Sequence, residues 1–368
     1  MRIVLVGPFP PLRGGIAMFN HSLAETLSKN HEVHRVSFSL QYPQLLFPGK
    51  TQYFDYDSQK AKTLINSVNP FSWKKTVKYI NSINPDIVIF QYWMPFFALC
   101  LGFVAKRLRK KRVKVISVLH NVKPHENRIG DKRLSRYFLK QNDAFVVMSK
   151  AVRDDLLSFI QDAKYILHPF PIYSQFGDSI DQIEARKKIG IPLNKKVLLF
   201  FGLIRNYKGL DLIIDAFDKL SDEYFLVIAG ESYGKFDDYQ KQIDSNTNKE
   251  RIIKHIKFIT DDQVSFFISA ADLNVLPYKT ATQSAVVAMA YQFDSPVLVT
   301  DVGGLKGMVE PYETGVVVDA PDSVLISEGI ETFFNDNMKS NCKNNIQKYK
   351  ADYSWDNFVK VVLELVES

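Results

Sequence analysis

Two α/β domains in tandem, each a parallel sheet flanked by helices, are predicted by three observations. Short apolar runs at Ile3–Val6, Val33–Phe38, Ile87–Phe90, Val113–Leu119 and Ala144–Met148 recur at Val197–Phe201, Phe225–Gly230, Ile256–Ile259, Leu273–Leu276 and Val297–Thr300. They alternate with helical periodicity, the pattern of strands joined by right-handed helical crossovers. The 368 residues exceed one ordinary core and suit two domains of roughly 170 residues. Between the two series, His168–Leu193 turns to proline, glycine and polar residues, the composition of an interdomain linker.

Composition limits the function classes. Apolar residues make up 46% and charged residues 24%, ordinary for a soluble globular chain. Met1–Arg2 leads straight into the first strand with no signal peptide. Two cysteines, Cys100 and Cys342, give neither a disulfide framework nor metal-ligand spacing, so a reducing cytoplasm is expected. The longest apolar stretch, Trp93–Ala105, is shorter than the ~20 residues a bilayer-spanning helix needs and reads as a core helix. The net charge of +7 is densest at Lys106, Arg107, Arg109, Lys110, Lys111, Arg112 and Lys114. That cluster is either a solvated helix end or a contact with an anionic membrane; no recognition motif accompanies it that would suit nucleic acid.

Taken in order, Ile3–Val6 runs through a proline-rich loop to Gly14-Gly15 and a helix with Phe19, Leu23 and Leu27 on one face. The spacing is not G-x-G-x-x-G, so no dinucleotide fingerprint is present; paired glycines before a helix still allow a ligand close to exposed N–H groups. Gln41–Asn84 is poorly patterned, and its Asp55-Tyr56-Asp57 lies in a polar loop, not at the end of an apolar strand, and reads as chance. Val113–Leu119 ends in His120-Asn121. A histidine at the carboxyl end of a parallel strand points toward the ligand crevice, which ranks His120 above His125 and its neighbour Glu126. Ala144–Met148 and a helix carrying Val152, Leu156 and Ile160 follow.

In the second half, Val197–Phe201 stops at Gly202, and a helix begins near Leu210 with Ile213, Ile214, Phe217 and Leu220 in its apolar stripe. Between them lie Arg205, Lys208 and Gly209, at the strand-end, helix-start position where open α/β sheets bind phosphate. A surface turn that carries two cations is the alternative. A second stretch, Pro277-Tyr278-Lys279-Thr280-Ala281-Thr282-Gln283-Ser284-Ala285, opens another helix, where the helix dipole at Thr282–Ser284 favours an anion. Gly303-Gly304 forms a turn after the next strand. The tail, with Trp355, Phe358, Val361, Val362 and Leu365, is an amphipathic helix.

These stretches resemble the retaining glycosyltransferases of family 4, whose donor domain opens with a strand and G-x-x-R-x-x-K-G. The resemblance implies the GT-B architecture: two Rossmann-like parallel-sheet domains facing across a cleft, with the C-terminal helix crossing back to the first. It implies an acceptor-side domain at 1–170, a linker at 171–195, a donor-binding domain at 196–345 and a returning helix at 346–368. It assigns catalytic roles to His120, against the transferred sugar, and to Arg205 and Lys208, on the donor diphosphate. Gly14, Gly15, Thr282, Gln283, Ser284, Gly303 and Gly304 would line the donor site. No metal and no cofactor are expected; the substrate is a UDP- or GDP-linked sugar and the acceptor a glycan or lipid-linked hydroxyl, reached in the cytoplasm or at the inner face of the membrane.

One departure matters. Most members carry two glutamates in the second stretch, one on the sugar and one on the ribose. Here the two possible registers give Ala281 and Met289, or Lys279 and Val287, and no carboxylate. The P-Y-[KR]-[ST]-A-T-Q-S-[GA] form and a G-G-I-A loop like Gly14–Ala17 recur in a bacterial subgroup of cell-surface polysaccharide assembly, which leaves Gln283 as the substitute contact. A catalytically silent nucleotide-sugar-binding scaffold and a GT-B-type nucleotide-sugar epimerase are the alternatives.

Overall fold

The computed structural model describes residues 1–43, 52–53, 61–123, 129–172 and 176–367. Asp55-Tyr56-Asp57, His125 and Glu126 lie outside the described residues. The chain divides into two compact units, Met1–Pro169 with Trp355–Ser368, and Phe170–Ser354.

The first unit runs β1 (Arg2–Val6), α1 (Gly15–Ser28), β2 (Glu32–Leu40), β3 (Lys62–Asn66), α2 (Pro70–Ile83), β4 (Ile87–Tyr92), α3 (Ala98–Arg109), β5 (Lys114–Leu119), α4 (Asp131–Leu139), β6 (Ala144–Val147), α5 (Lys150–Phe159) and β7 (Tyr165–Leu167). All seven strands are parallel, in the order β3-β2-β1-β4-β5-β6-β7. The chain therefore winds outward from β1 in one direction and from β4 in the other, which leaves a crevice at the carboxyl ends of β1 and β4. β4 is buried along its whole length, as a central strand covered on both faces must be.

The second unit runs α6 (Gln182–Ile189), β8 (Lys196–Phe201), α7 (Leu210–Phe217), β9 (Tyr224–Ala229), α8 (Asp237–Ser245), β10 (Ile252–His255), α9 (Asp261–Ala270), β11 (Leu273–Leu276), α10 (Ala285–Gln292), β12 (Val297–Thr300), α11 (Lys306–Val309), β13 (Gly315–Val318), α12 (Ser323–Asn335) and α13 (Lys339–Asp352). Its six strands are parallel in the order β10-β9-β8-β11-β12-β13, with the switch point between β8 and β11. The stripe on α7 is as expected: Leu210, Ile213, Ile214 and Phe217 are fully buried. Each contributes about 1.5–3 kcal/mol of burial. The final helix, α14 (Trp355–Glu367), packs Trp355 and Phe358 edge-on against Phe19 of α1 and so completes the first unit.

Several expectations shift. The stretch 171–195 is no bare linker: α6 is built into the second unit, where Arg186 pairs with Asp272 at 2.6 Å. α13 stays in the second unit, so only the chain from Trp355 belongs to the first. Gln41–Asn84 contains β3 and α2. A proline interrupts Trp93–Ala105: Pro95–Phe97 forms a 3-10 turn and the α-helix starts at Ala98. The strand expected at Ile256–Ile259 lies earlier in the chain, at Ile252–His255, where it pairs with β9.

Candidate donor and sugar sites

In the second unit, glycines set the spacing of the loops. Gly209, at φ +70°, joins a 3-10 turn at Asn206–Lys208 to α7. A Cβ there would lie 1.9 Å from the Pro277 carbonyl oxygen, so only glycine lets the turn sit flush on the 277–284 loop. The Lys279 N–H donates to the Tyr207 carbonyl at 2.7 Å, and Lys279 Nζ pairs with Asp211 at 2.6 Å. Gly303, at φ +58°, packs on the other side of the same loop, where a Cβ would lie 1.4 Å from the Ala281 oxygen. Arg205, Lys208, Thr282–Ser284, Gly303 and Gly304 are thus drawn to neighbouring loops at the carboxyl ends of β8, β11 and β12.

The two cations differ in setting. Arg205 lays its guanidinium over the Tyr233 ring, 4.0 Å from the centroid. It borders a pocket of about 340 Å³, lined also by Asp211, Ser232, Tyr239 and Gln242, that does not include Lys208. Lys208 is 8% exposed. Its ammonium stands 5.5 Å from the Tyr278 ring centroid. Among the described residues no carboxylate pairs with it. Burial lowers its pKa, Tyr207 opposes that shift and the Arg205 charge adds to it. A buried ammonium without a counter-ion is an unfinished electrostatic arrangement that an anion would complete.

At the start of α10 the hydroxyls do not all face outward. Ser284 Oγ accepts from the Val286 N–H at 3.2 Å and so serves as the helix cap, while Thr282 and Gln283 are half-buried. Neither register supplies a carboxylate: Ala281 and Val287 are buried, Met289 is half-buried, and Lys279 is held by Asp211.

In the first unit Gly14, at φ +130°, is the cap residue of α1 and Gly15 its first residue. Nothing would meet a Cβ at Gly14, so the backbone conformation alone requires glycine there. His120 follows β5 and is 3% exposed. Its Nε2 lies 2.8 Å from Gln91 Oε1, and the Phe19 ring meets it edge-on at 5.0 Å. Burial pushes its pKa down to about 3, so the ring is neutral at physiological pH. Gln91 in turn bonds Asn20, two buried amides for which sequence inspection gave no signal beyond an amide inside an apolar strand. Among the described residues no group of three or more histidine, cysteine or carboxylate side chains could hold a metal ion.

Comparison with known proteins finds family matches in both units. Residues 13–168 match the family model described as Glycosyltransferase Family 4. Residues 181–349 match Glycosyl transferases group 1. The chain is a glycosyltransferase of GT-B fold whose first unit matches family 4. An uncharacterized glycosyltransferase of Methanocaldococcus jannaschii is 21% identical over 370 residues, covering 100% of this chain and 98% of that protein. A D-inositol 3-phosphate glycosyltransferase of Corynebacterium urealyticum is 26% identical over 194 residues, 50% of this chain and 46% of that protein. The chain spans about half the length of several relatives it matches. In fold, this glycosyltransferase superposes on Anabaena HepE, solved in complex with UDP, with TM-score 0.78 at 17% identity over 100% of both chains.

Proposed function

We propose that this glycosyltransferase moves a sugar from a nucleotide-diphospho-sugar to a hydroxyl of a glycan or lipid-linked acceptor in cell-surface polysaccharide assembly. The observation that carries the reading is Lys208, a buried ammonium that no carboxylate of the described residues pairs with, near Arg205 and the start of α10. As the bond from sugar to diphosphate breaks, negative charge grows on the departing phosphate. Lys208, Arg205 and the N–H groups at Thr282–Ser284 stabilise that charge from preorganised positions, so the step needs no metal. Gly303 holds the Ala281–Thr282 backbone in place. Neutral His120 contacts the sugar, and Gly14-Gly15 give close backbone approach. The donor phosphate takes the acceptor proton on the face the leaving group vacates, which gives retention of configuration. Gln283 stands in for the absent glutamates on sugar or ribose, as expected of the P-Y-K-T-A-T-Q-S subgroup.

For a lipid-linked acceptor, the reading includes peripheral contact with an anionic membrane. α2 and α3 contain no acidic residue, and exposed Lys74, Lys75, Lys78, Lys106, Arg107 and Lys110 accompany Phe71 at 73% and Leu99 at 51% exposure. No helix among the described residues is long and apolar enough to cross a membrane.

The test is calorimetric binding of UDP, GDP, ADP and their sugar conjugates to wild type and to Arg205→Ala/Lys208→Ala. One nucleotide bound by wild type and lost in the double variant supports the donor site. No binding of any favours a silent scaffold, and turnover of donor without acceptor favours an epimerase.

A further inference from the structure

The buried amides beside His120 form a chain whose polarity has one solution. The carbonyl oxygen of Pro8, in the loop after β1, can only accept a hydrogen bond. The Asn20 atom 3.1 Å from it is therefore Nδ2, which turns Oδ1 toward Gln91. An amide oxygen also only accepts, so the Gln91 atom 3.1 Å from Asn20 Oδ1 is Nε2. That leaves Gln91 Oε1 facing the His120 ring nitrogen at 2.8 Å. A second acceptor there requires the proton to sit on His120 Nε2. Which end of an amide or imidazole donates is decided by its network, and here the network ends on a backbone carbonyl that cannot reverse.

Two further observations show that this chain is built in. Asn20 and Gln91 are both fully buried, on α1 and β4, so neither amide has water as an alternative partner. Gly7 leaves the room for them: a Cβ there would lie 2.8 Å from Gln91 Cγ and 3.0 Å from Asn20 Nδ2. We propose that Asn20 and Gln91 are positioning residues that lock His120 as the Nε2–H tautomer, so that its Nδ1 meets a sugar hydroxyl as a hydrogen-bond acceptor. The hydroxyl clause rests on the proposed function; the tautomer does not. The consequence for specificity is directional. A ligand hydroxyl at this position donates its proton to the ring, and a group that can only accept is refused.

The experiment uses the full chain with imidazole-labelled nitrogen-15 histidine and long-range proton–nitrogen correlation, which distinguishes a protonated from an unprotonated ring nitrogen. Seven histidines are present, and the His120 signals are those absent from His120→Gln. The expected spectrum at neutral pH has a protonated Nε2 and an unprotonated Nδ1. A protonated Nδ1 overturns the proposal. In Gln91→Glu the carboxylate still accepts from Nε2 and favours the charged ring, so the His120 titration midpoint rises by at least one pH unit. A midpoint that stays in place would mean that the Gln91 side chain does not meet the ring nitrogen, which also overturns the proposal. If Gln91→Glu does not fold, the wild-type spectrum alone decides. An Nε2–H signal in a protein that binds no nucleotide-sugar would count against the function and leave the relay standing.

Discussion

His120 in the first unit and Lys208 in the second are both buried polar side chains at strand ends, and they are completed in opposite ways. His120 is satisfied within its own unit: Gln91 accepts from the ring, Asn20 and Pro8 continue the chain, and the ring stays neutral. Lys208 has a cation above an aromatic ring and a second cation nearby, with no carboxylate partner among the described residues. A neutral group with its bonds made rigidifies a site, whereas a buried charge left unpaired stores binding energy for an anion. On the proposed function, the first unit orients and the second takes the charge.

The largest effect expected from this contrast is on turnover. Lys208→Ala should lower kcat/KM by about 10²–10³-fold, about 2.7–4 kcal/mol, because the stabilised charge is greatest in the transition state. Unchanged kcat/KM in steady-state assays would remove Lys208 from the site. Next in size is Gly209→Ala, which forces a side chain into φ +70° and onto the Pro277 oxygen. It should destabilise the second unit by about 2–4 kcal/mol in urea denaturation. A variant of wild-type stability would mean that the loops do not pack as described.

A third test separates stability from function. Replacing a buried ammonium that no carboxylate of the described residues pairs with by an apolar chain of similar length removes a desolvation penalty, so Lys208→Met should stabilise the ligand-free protein by about 1–3 kcal/mol. The same variant should lose the rise in melting temperature that the cognate nucleotide gives the wild type. A destabilised Lys208→Met would indicate that Lys208 is already satisfied within the fold.

The contrast also explains what the sequence discloses. Lys208 was legible because it lies in a local run: strand, glycine, cation, cation, glycine, helix. Both sheets were legible for the same reason, since β1 and β8 carry the continuous apolar runs Ile3–Val6 and Val197–Phe201. β3 was not, because as an edge strand only Ile65 of its five residues is buried. α2 carried an overlooked signal in Asn69-Pro70: Asn69 caps the helix through the Phe71 N–H, and Pro70 takes the first position. Asn20 and Gln91 were illegible in principle. They are 71 residues apart, and only the fold makes them neighbours. Ser284, expected to line the donor site, spends its side-chain oxygen as the N-cap of its own helix.

The smallest effect concerns pH and tests the neutral side of the comparison. His120 titrates at 6.5 in the unfolded chain and at about 3 when folded. Between those values the unfolded state holds a proton that the folded state does not. Stability therefore falls as pH drops through 6.5, by up to about 1.4 kcal/mol per pH unit for this one group, and levels off only near the folded value. Chemical denaturation of wild type and His120→Gln from pH 7.5 to 5 isolates the contribution, since the other histidines are common to both. The wild-type curve should fall more steeply by close to one bound proton. Parallel curves would mean that the folded ring takes up its proton as readily as the unfolded one, and the distinction between a finished and an unfinished site would disappear.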